Sequence, residues 1–131
     1  MKQILTLIFL VTILLINGCE YQEVPKLSDL STDKDYYDYN ENIIINFNIV
    51  NNGKTSFNPK IETEVDENCY YREFSDLASV SHSGKSFEKI TVRSKRSMQC
   101  KNTEQSIILI LKDKVGDQVL DKEPINFVIR N

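Results

Sequence analysis

The chain has 131 residues, enough for one domain, with 16 basic and 19 acidic side chains and a formal net charge of −3. A mildly acidic chain lacks the basic footprint that sequence-independent nucleic-acid binding needs, so no nucleic-acid partner is expected. Its 4 Gly and 3 Pro are too few for a disordered linker protein.

The first element is an apolar run. Met1, Lys2 and Gln3 make a short positive head, and Ile4 to Ile16 follow, apolar apart from Thr6 and Thr12. As a helix this run is roughly 20 Å long, against about 30 Å of bilayer hydrocarbon. That is short for a permanent span and fits the apolar region of a secretory signal. The run is apolar on every face, which argues against a buried core helix. A helical signal segment is therefore expected over residues 1–18.

The run ends at Ile16-Asn17-Gly18-Cys19. An aliphatic residue, a loosely constrained one, a small one and then cysteine resemble the lipobox of bacterial lipoproteins. The resemblance implies that the Cys19 thiol receives a diacylglycerol. It also implies that a dedicated peptidase cuts between Gly18 and Cys19, and that the new α-amino group is often acylated. Asn17 is less usual than Ala or Ser at its position. The alternative is ordinary signal cleavage that leaves Cys19 as a thiol. Lipidation would make the membrane a partner: each buried methylene contributes about 0.8 kcal/mol, and one chain alone anchors only marginally. Two or three chains would hold the protein essentially permanently. Glu20, rather than Asp, follows Cys19. Under the sorting rule of some Gram-negative lipoproteins this implies the outer membrane. Residues 19–26, polar and containing Pro25, read as a lipidated tether, and 27–131 as the domain.

From Leu27 onward the pattern is mostly period two. The stretch Ser31 to Asn42 carries Asp33, Asp35, Asp38 and Glu41, which are hard oxygen ligands. With Asp33 as position 1 of a calcium loop, position 6 is Asp38 rather than Gly and position 12 is Ile44 rather than Glu, so the EF-hand spacing fails. No metal is expected there. Tyr36, Tyr37 and Tyr39 are instead candidates for a partner surface, because tyrosine favours interfaces. The blander alternative is a solvated connection with Tyr36 or Tyr39 packed on the sandwich edge.

Asn42 to Val50 is the clearest strand, with Ile43, Ile45, Phe47 and Ile49 on one face. Asn51-Asn52-Gly53-Lys54 follows, where Asn-Gly is expected to supply the positive φ angles of a tight turn. Lys60 to Val65 is a second strand and Tyr70 to Phe74 a third. Ser81 to Lys85 reads as a loop round Ser83-Gly84. Phe87 to Val92 is a strand with Ile90 and Val92 inward and a bulge near Glu88. The basic run from Arg93 to Lys101 makes Arg93, Lys95 and Arg96 candidates for partner binding; such runs are more commonly solvated loops. Ser106 to Lys112 is apolar on both faces, as in a central strand. Asp113 to Asp117 is a turn centred on Gly116. In the last strand Ile125, Phe127 and Ile129 alternate with polar neighbours, and Pro124 sits at its start.

About seven short strands separated by turn signals predict an antiparallel sandwich. The segment Tyr39-x-Glu41-x-Ile43-x-Ile45-x-Phe47, the Asn51-Asn52-Gly53 turn and the hairpin from Ile107 to Ile129 resemble bacterial immunoglobulin-like and fibronectin-type domains. The expected fold class is all-β: an immunoglobulin-like antiparallel β-sandwich of about seven strands, after a helical N-terminal signal segment. A small β-barrel is the alternative.

Three cysteines leave one to explain in an exported protein. If lipid consumes Cys19, Cys69 and Cys100 remain as a natural pair, and an exported setting permits a disulfide. The alternative is two thiols. Neither has a CxxC partner, so zinc or thioredoxin-like chemistry has no support. His82 stands alone between Ser81 and Ser83, with no nucleophile elbow, HExxH or phosphate-cradling glycine loop in the chain. No catalytic residue, cofactor or metal is expected. The expected function is a non-enzymatic binding or structural role at the cell envelope, with another envelope protein or macromolecule as partner. The alternative is an inhibitor of a lysozyme- or protease-type hydrolase, with Val80 to Phe87 as its inserted loop.

Overall fold

A computed structural model of the chain describes residues 23–131. Among them are eight strands: β1 (Lys26–Thr32), β2 (Tyr36–Asp38), β3 (Ile43–Asn51), β4 (Pro59–Glu64), β5 (Phe74–Asp76), β6 (Gly84–Val92), β7 (Glu104–Asp113) and β8 (Val119–Arg130). A three-stranded sheet has the order β1-β3-β6, and a five-stranded sheet the order β2-β8-β7-β4-β5. The inward side chains of both sheets form one core.

The fold is thus an all-β, two-sheet sandwich, but the expected strand plan needs correction. About seven antiparallel strands become eight, and β2 pairs parallel to β8, with Tyr36 opposite Val128 and Asp38 opposite Arg130. The helical segment expected over residues 1–18 lies outside the described residues. Among the described residues there is no α-helix, only a 3-10 turn at Met98–Cys100. Among the described residues the immunoglobulin-like sandwich of about seven antiparallel strands is therefore replaced by an eight-stranded, two-sheet sandwich with one parallel pair.

The missed strands have weak patterns for physical reasons. In β1 only Leu27 is buried, and the register slips between Ser28 and Ser31 at Asp29, whose φ is 53°. Such a bulge breaks the alternation that identifies a strand. β2 is three residues long. Its backbone groups are satisfied by β8, which no local pattern encodes.

The long strands follow their sequences. In β3, Ile43, Ile45, Phe47 and Ile49 are fully buried. Asn48, on the opposite face, is buried as well, because its amide donates to the Asp29 carboxylate of the bulge at 2.7 Å. That bond, with Ser28 and Lys85 behind it, holds the Asp29 carboxyl below its usual pKa. In β7, Ile107, Leu109 and Leu111 face the core, and Ile110 is buried on the outer face. Glu62 lies opposite Ile110, and Lys60 lies opposite Lys112. Their ends close over that apolar site: Lys60 and Lys112 each reach Glu62 at 2.9 Å and continue to Asp117 at 3.5 and 3.3 Å. The apolar-both-faces reading of this strand is correct, and a lid of ion pairs covers its outer side.

Three local expectations also change. β3 and β4 belong to different sheets, so Asn51-Asn52-Gly53 is a crossing and not a hairpin turn. The Asn51 amide donates to the carbonyls of Thr55, Val80 and Ser81 at 2.9, 3.2 and 3.0 Å, and its oxygen accepts from the Gly53 N–H at 3.0 Å. Gly53 does not have a positive φ; among the described glycines only Gly116 does, at 85°. The β3–β6 register is unbroken from Ile43 opposite Val92 to Asn51 opposite Gly84, so there is no bulge at Glu88. Glu88 shares the inward face with Ile90 at the sheet's edge and accepts a hydrogen bond from Ser86. An inward-pointing charge on an edge strand disfavours pairing with a second chain. Finally, Tyr70 to Phe74 is not a continuous strand; Tyr70 makes a single bridge to Ser94, and β5 starts at Phe74.

Candidate functional site

The strands run between two ends of different character. At one end, Glu23, Val24 and Pro25 line a shallow cleft with Asn51, Gly53, Thr55, Phe57, Asp113, Gln118 and Leu120. The first described residues therefore meet the sandwich here, and β1 begins at Lys26, the last residue of the expected tether. At the far end lie the β2–β3 connection, residues 65–73, and residues 93–103.

A disulfide organises the far end. Cys69 and Cys100 are bonded, with their Cα atoms 5.9 Å apart. Beneath the bridge, Phe127 of β8 receives Tyr37 edge-on at 5.7 Å and Tyr70 edge-on at 5.9 Å between ring centres. Tyr37 is 1% exposed and its hydroxyl donates to the Asp33 carboxylate. Tyr37 is thus a core residue, which corrects its assignment to a partner surface. Side chains alternate across a strand, so one of two adjacent tyrosines has to face inward. Here Tyr37 does, and Tyr36 stays exposed.

Burial, with the Asp33 carboxylate beside it, pushes the Tyr37 phenol up to about 12. Burial, then the charges of Asp66 and Tyr37, raises Tyr70 further. The sign follows directly: the neutral phenols are favoured in the folded chain, so their stabilisation is full below the ordinary value of 10.0. It is lost as pH rises through the folded pKa values. In a titration at 295 nm, Tyr37 and Tyr70 should stay un-ionised past the ordinary phenol range and should ionise together with unfolding. A single transition near pH 10 covering all the tyrosines would contradict the buried cluster.

Three segments are sewn together above this core. The Ser94 hydroxyl donates to the Tyr39 carbonyl at 2.6 Å, and the Ser94 N–H donates to the Asn42 side chain at 3.0 Å. On the other side, the Tyr71 N–H donates to the Arg93 carbonyl at 3.0 Å and the Lys95 N–H to the Cys69 carbonyl at 2.8 Å. The basic run is thereby clamped between the tyrosine segment and the disulfide segment. Arg93 and Lys95, two apart, both lie over the Tyr71 ring, at 5.2 and 5.0 Å from its centre. Lys101 lies over Tyr39 and Arg130 over Tyr36, each at 4.5 Å. Desolvated pairs of this kind contribute up to about 2 kcal/mol, and exposed ones about 0.5–1 kcal/mol.

Of the residues expected to form a partner surface, Tyr39, Arg93 and Lys95 are therefore brought together, with Arg96 exposed beside them. Tyr36 lies on the neighbouring edge with Asp35, Asp38 and Glu41. Tyr71, 48% exposed, is the member that sequence reasoning missed. Its signal was available: it follows Tyr70 and the buried Cys69, and alternation sends one of the two tyrosines outward.

The inserted loop expected over Val80 to Phe87 is not a loop. Val80 is bridged to Phe57, residues 81–83 make a tight turn closed by the Gly84 N–H to Ser81 carbonyl bond, and β6 starts at Gly84. A side chain at Gly84 would stand 2.7 Å from the Ser81 carbonyl, so glycine is required there. His82 lies exposed in that turn. Among the described residues no three His, Cys, Asp or Glu side chains stand close enough to hold a metal ion. What the far end offers chemically is contact, through aromatic rings and cations.

The sequence matches no protein-family model and no curated protein. Solved structures do match it in fold. A β-glucuronidase of glycoside hydrolase family 2 aligns with a TM-score of 0.63 at 10% identity, over 82% of this chain and 13% of that one. The Bacteroides uniformis β-glucuronidase aligns at 0.64 and 5% identity, over 82% and 15%. A FixG-related protein from Vibrio parahaemolyticus aligns at 0.61 and 10% identity, over 82% of this chain and 97% of that one. The chain thus spans a small part of the two enzymes and nearly all of the third protein. At such identities the likeness is one of fold, and one sandwich carries many functions.

Proposed function

We propose that this chain is a lipid-anchored, non-enzymatic binding module of the cell envelope, held at Cys19 and contacting another envelope protein through the far end of its sandwich. The observation that carries this reading is the separation of the two ends. Glu23 to Pro25 meet the sandwich at one end, while Tyr39, Tyr71, Arg93, Lys95 and Lys101 gather at the other. The twelve residues of β8 put the two ends about 40 Å apart. Residues 20–25 between Cys19 and β1 reach roughly 20 Å when fully extended. A domain held this way presents its tyrosine–cation end away from the anchoring bilayer. The lipobox resemblance of Ile16-Asn17-Gly18-Cys19 supports the anchor, and Glu20 supports the outer membrane in a cell that has two. Metabolic labelling with an alkynyl palmitate tests the anchor. The full chain should take up label and Cys19→Ala should take up none. An unlabelled wild-type chain, or label retained by Cys19→Ala, would contradict the anchor.

A further inference from the structure

We infer that the face formed by Tyr71, Arg93, Lys95, Arg96, Met98 and Lys101 binds an acidic polypeptide segment, that is, a partner with clustered Asp or Glu side chains. The inference rests on the reading of the chain as a displayed binding module and names the chemistry of what it binds.

The charge of this face differs from that of the chain as a whole. Two carboxylates beside it are already engaged: Glu73 holds Arg93 at 2.7 Å, and Glu67 holds Arg72 at 2.8 Å. Asp66 is turned to its own loop and accepts the Asn68 N–H at 2.9 Å. Lys95, Arg96 and Lys101 make no ion pair with a carboxylate among the described residues; the Lys95 ammonium donates to the Glu67 carbonyl instead. An acidic protein thus carries one end with three cations that have no anion of their own among the described residues. Long-range attraction brings an anionic partner to such a site, and the effect weakens with salt.

The residue types favour a polypeptide over a carbohydrate. Tyr, Arg and Met are enriched at protein interfaces, and Met98 is 68% exposed here with nothing apolar to cover it. A sugar ring would need an open aromatic face. That of Tyr71 is attended by Arg93 and Lys95. Its hydroxyl edge and the flanking Lys95, with Arg93 neutralised by Glu73, suit carboxylate side chains on an extended chain. The backbone that carries the cations is fixed by Ser94 on one side and by Cys69 on the other, so little ordering is left to binding.

The test uses the full chain, in nanodiscs of zwitterionic phospholipid if it carries lipid and free in solution if it does not, with fluorescent poly-L-glutamate as probe and anisotropy as readout. Wild type should bind, and more weakly as salt rises. Lys95→Glu/Arg96→Glu/Lys101→Glu should bind about tenfold or more weakly, a loss equal to about 1.4 kcal/mol. Lys26→Glu/Lys89→Glu/Lys122→Glu changes net charge equally at exposed sites elsewhere and should bind like wild type. Arg96→Glu alone, at a side chain outside any ion pair, repeats the test if the triple variant melts early. Equal weakening in both triple variants, no binding by wild type, or tighter binding of polygalacturonate than of polyglutamate would each overturn the inference. Palmitate label at Cys19 together with failed polyglutamate binding would remove this inference and leave the anchored module. Binding without label would do the reverse.

Discussion

Replacing the bridge with Cys69→Ala/Cys100→Ala lowers stability by about 3–4 kcal/mol, the chain-entropy value for a loop closing residues 31 apart. For a domain of this size that corresponds to a fall in melting temperature of roughly 15 °C. Two features make the full effect the expectation. Both cysteines are buried, and the bridge pins the 3-10 turn at Met98–Cys100 to the segment that carries Tyr70. The turn's N-cap, Ser97, makes no side-chain cap bond, and the Thr103 hydroxyl donates to the Cys100 carbonyl at 2.7 Å at its other end. The loss is measured by thermal or urea unfolding of the two proteins. A difference below about 1 kcal/mol would mean that the far end is held by its hydrogen bonds alone.

Phe127→Ala is expected to cost about 3–5 kcal/mol, the range for emptying a large buried aromatic site. Phe127 is the shared partner of Tyr37 and Tyr70, and each edge-on contact adds about 0.5–1.5 kcal/mol beyond the area buried. Neither tyrosine can collapse easily into the space. Tyr37 is held by its bond to Asp33, and Tyr70 follows directly on the bridged Cys69. Phe127→Leu, which keeps most of the volume, should lose much less. Urea denaturation measures both. Equal and small losses would show that the ring contacts contribute nothing beyond ordinary burial. The same cluster carries the raised phenol pKa values, so Phe127→Ala should also let Tyr37 and Tyr70 ionise at lower pH.

The strands that alternate strongly are the ones visible in the sequence. Ile43 to Ile49, Ile107 to Leu111 and Ile125 to Ile129 declare their buried faces, and the sandwich follows from them. β1 and β2 were not visible. The bulge at Asp29 erases the period of β1, and β2 exists only because β8 offers it a parallel partner. The Asn51-Asn52-Gly53 stretch has hairpin composition, yet its Asn51 amide serves three carbonyls at a crossing between sheets. That use depends on where Thr55, Val80 and Ser81 end up, and nothing local reports it.

The site divides in the same way. Arg93, Lys95 and Arg96 are conspicuous as charges, and the tyrosines of residues 36–39 are conspicuous as rings. Which tyrosine faces outward is a question of strand parity in a three-residue strand, and Tyr37 falls inward. That the two stretches meet rests on Ser94, which docks on Tyr39 and Asn42 more than fifty residues away in sequence. Tyr71 joins them because the Tyr70–Ser94 bridge and the Tyr71 N–H bond to the Arg93 carbonyl set it alongside Arg93. The Cys69–Cys100 pair is legible from parity alone once Cys19 is set aside, and the two cysteines are bonded.

The mass of the intact mature protein, isolated from membranes without reduction, tests the account most directly. The account predicts a chain that begins at Cys19, carries a diacylglycerol and further acyl mass at that residue, and lacks two hydrogens for one disulfide. A chain that begins elsewhere, or one that begins at Cys19 without lipid, would contradict it.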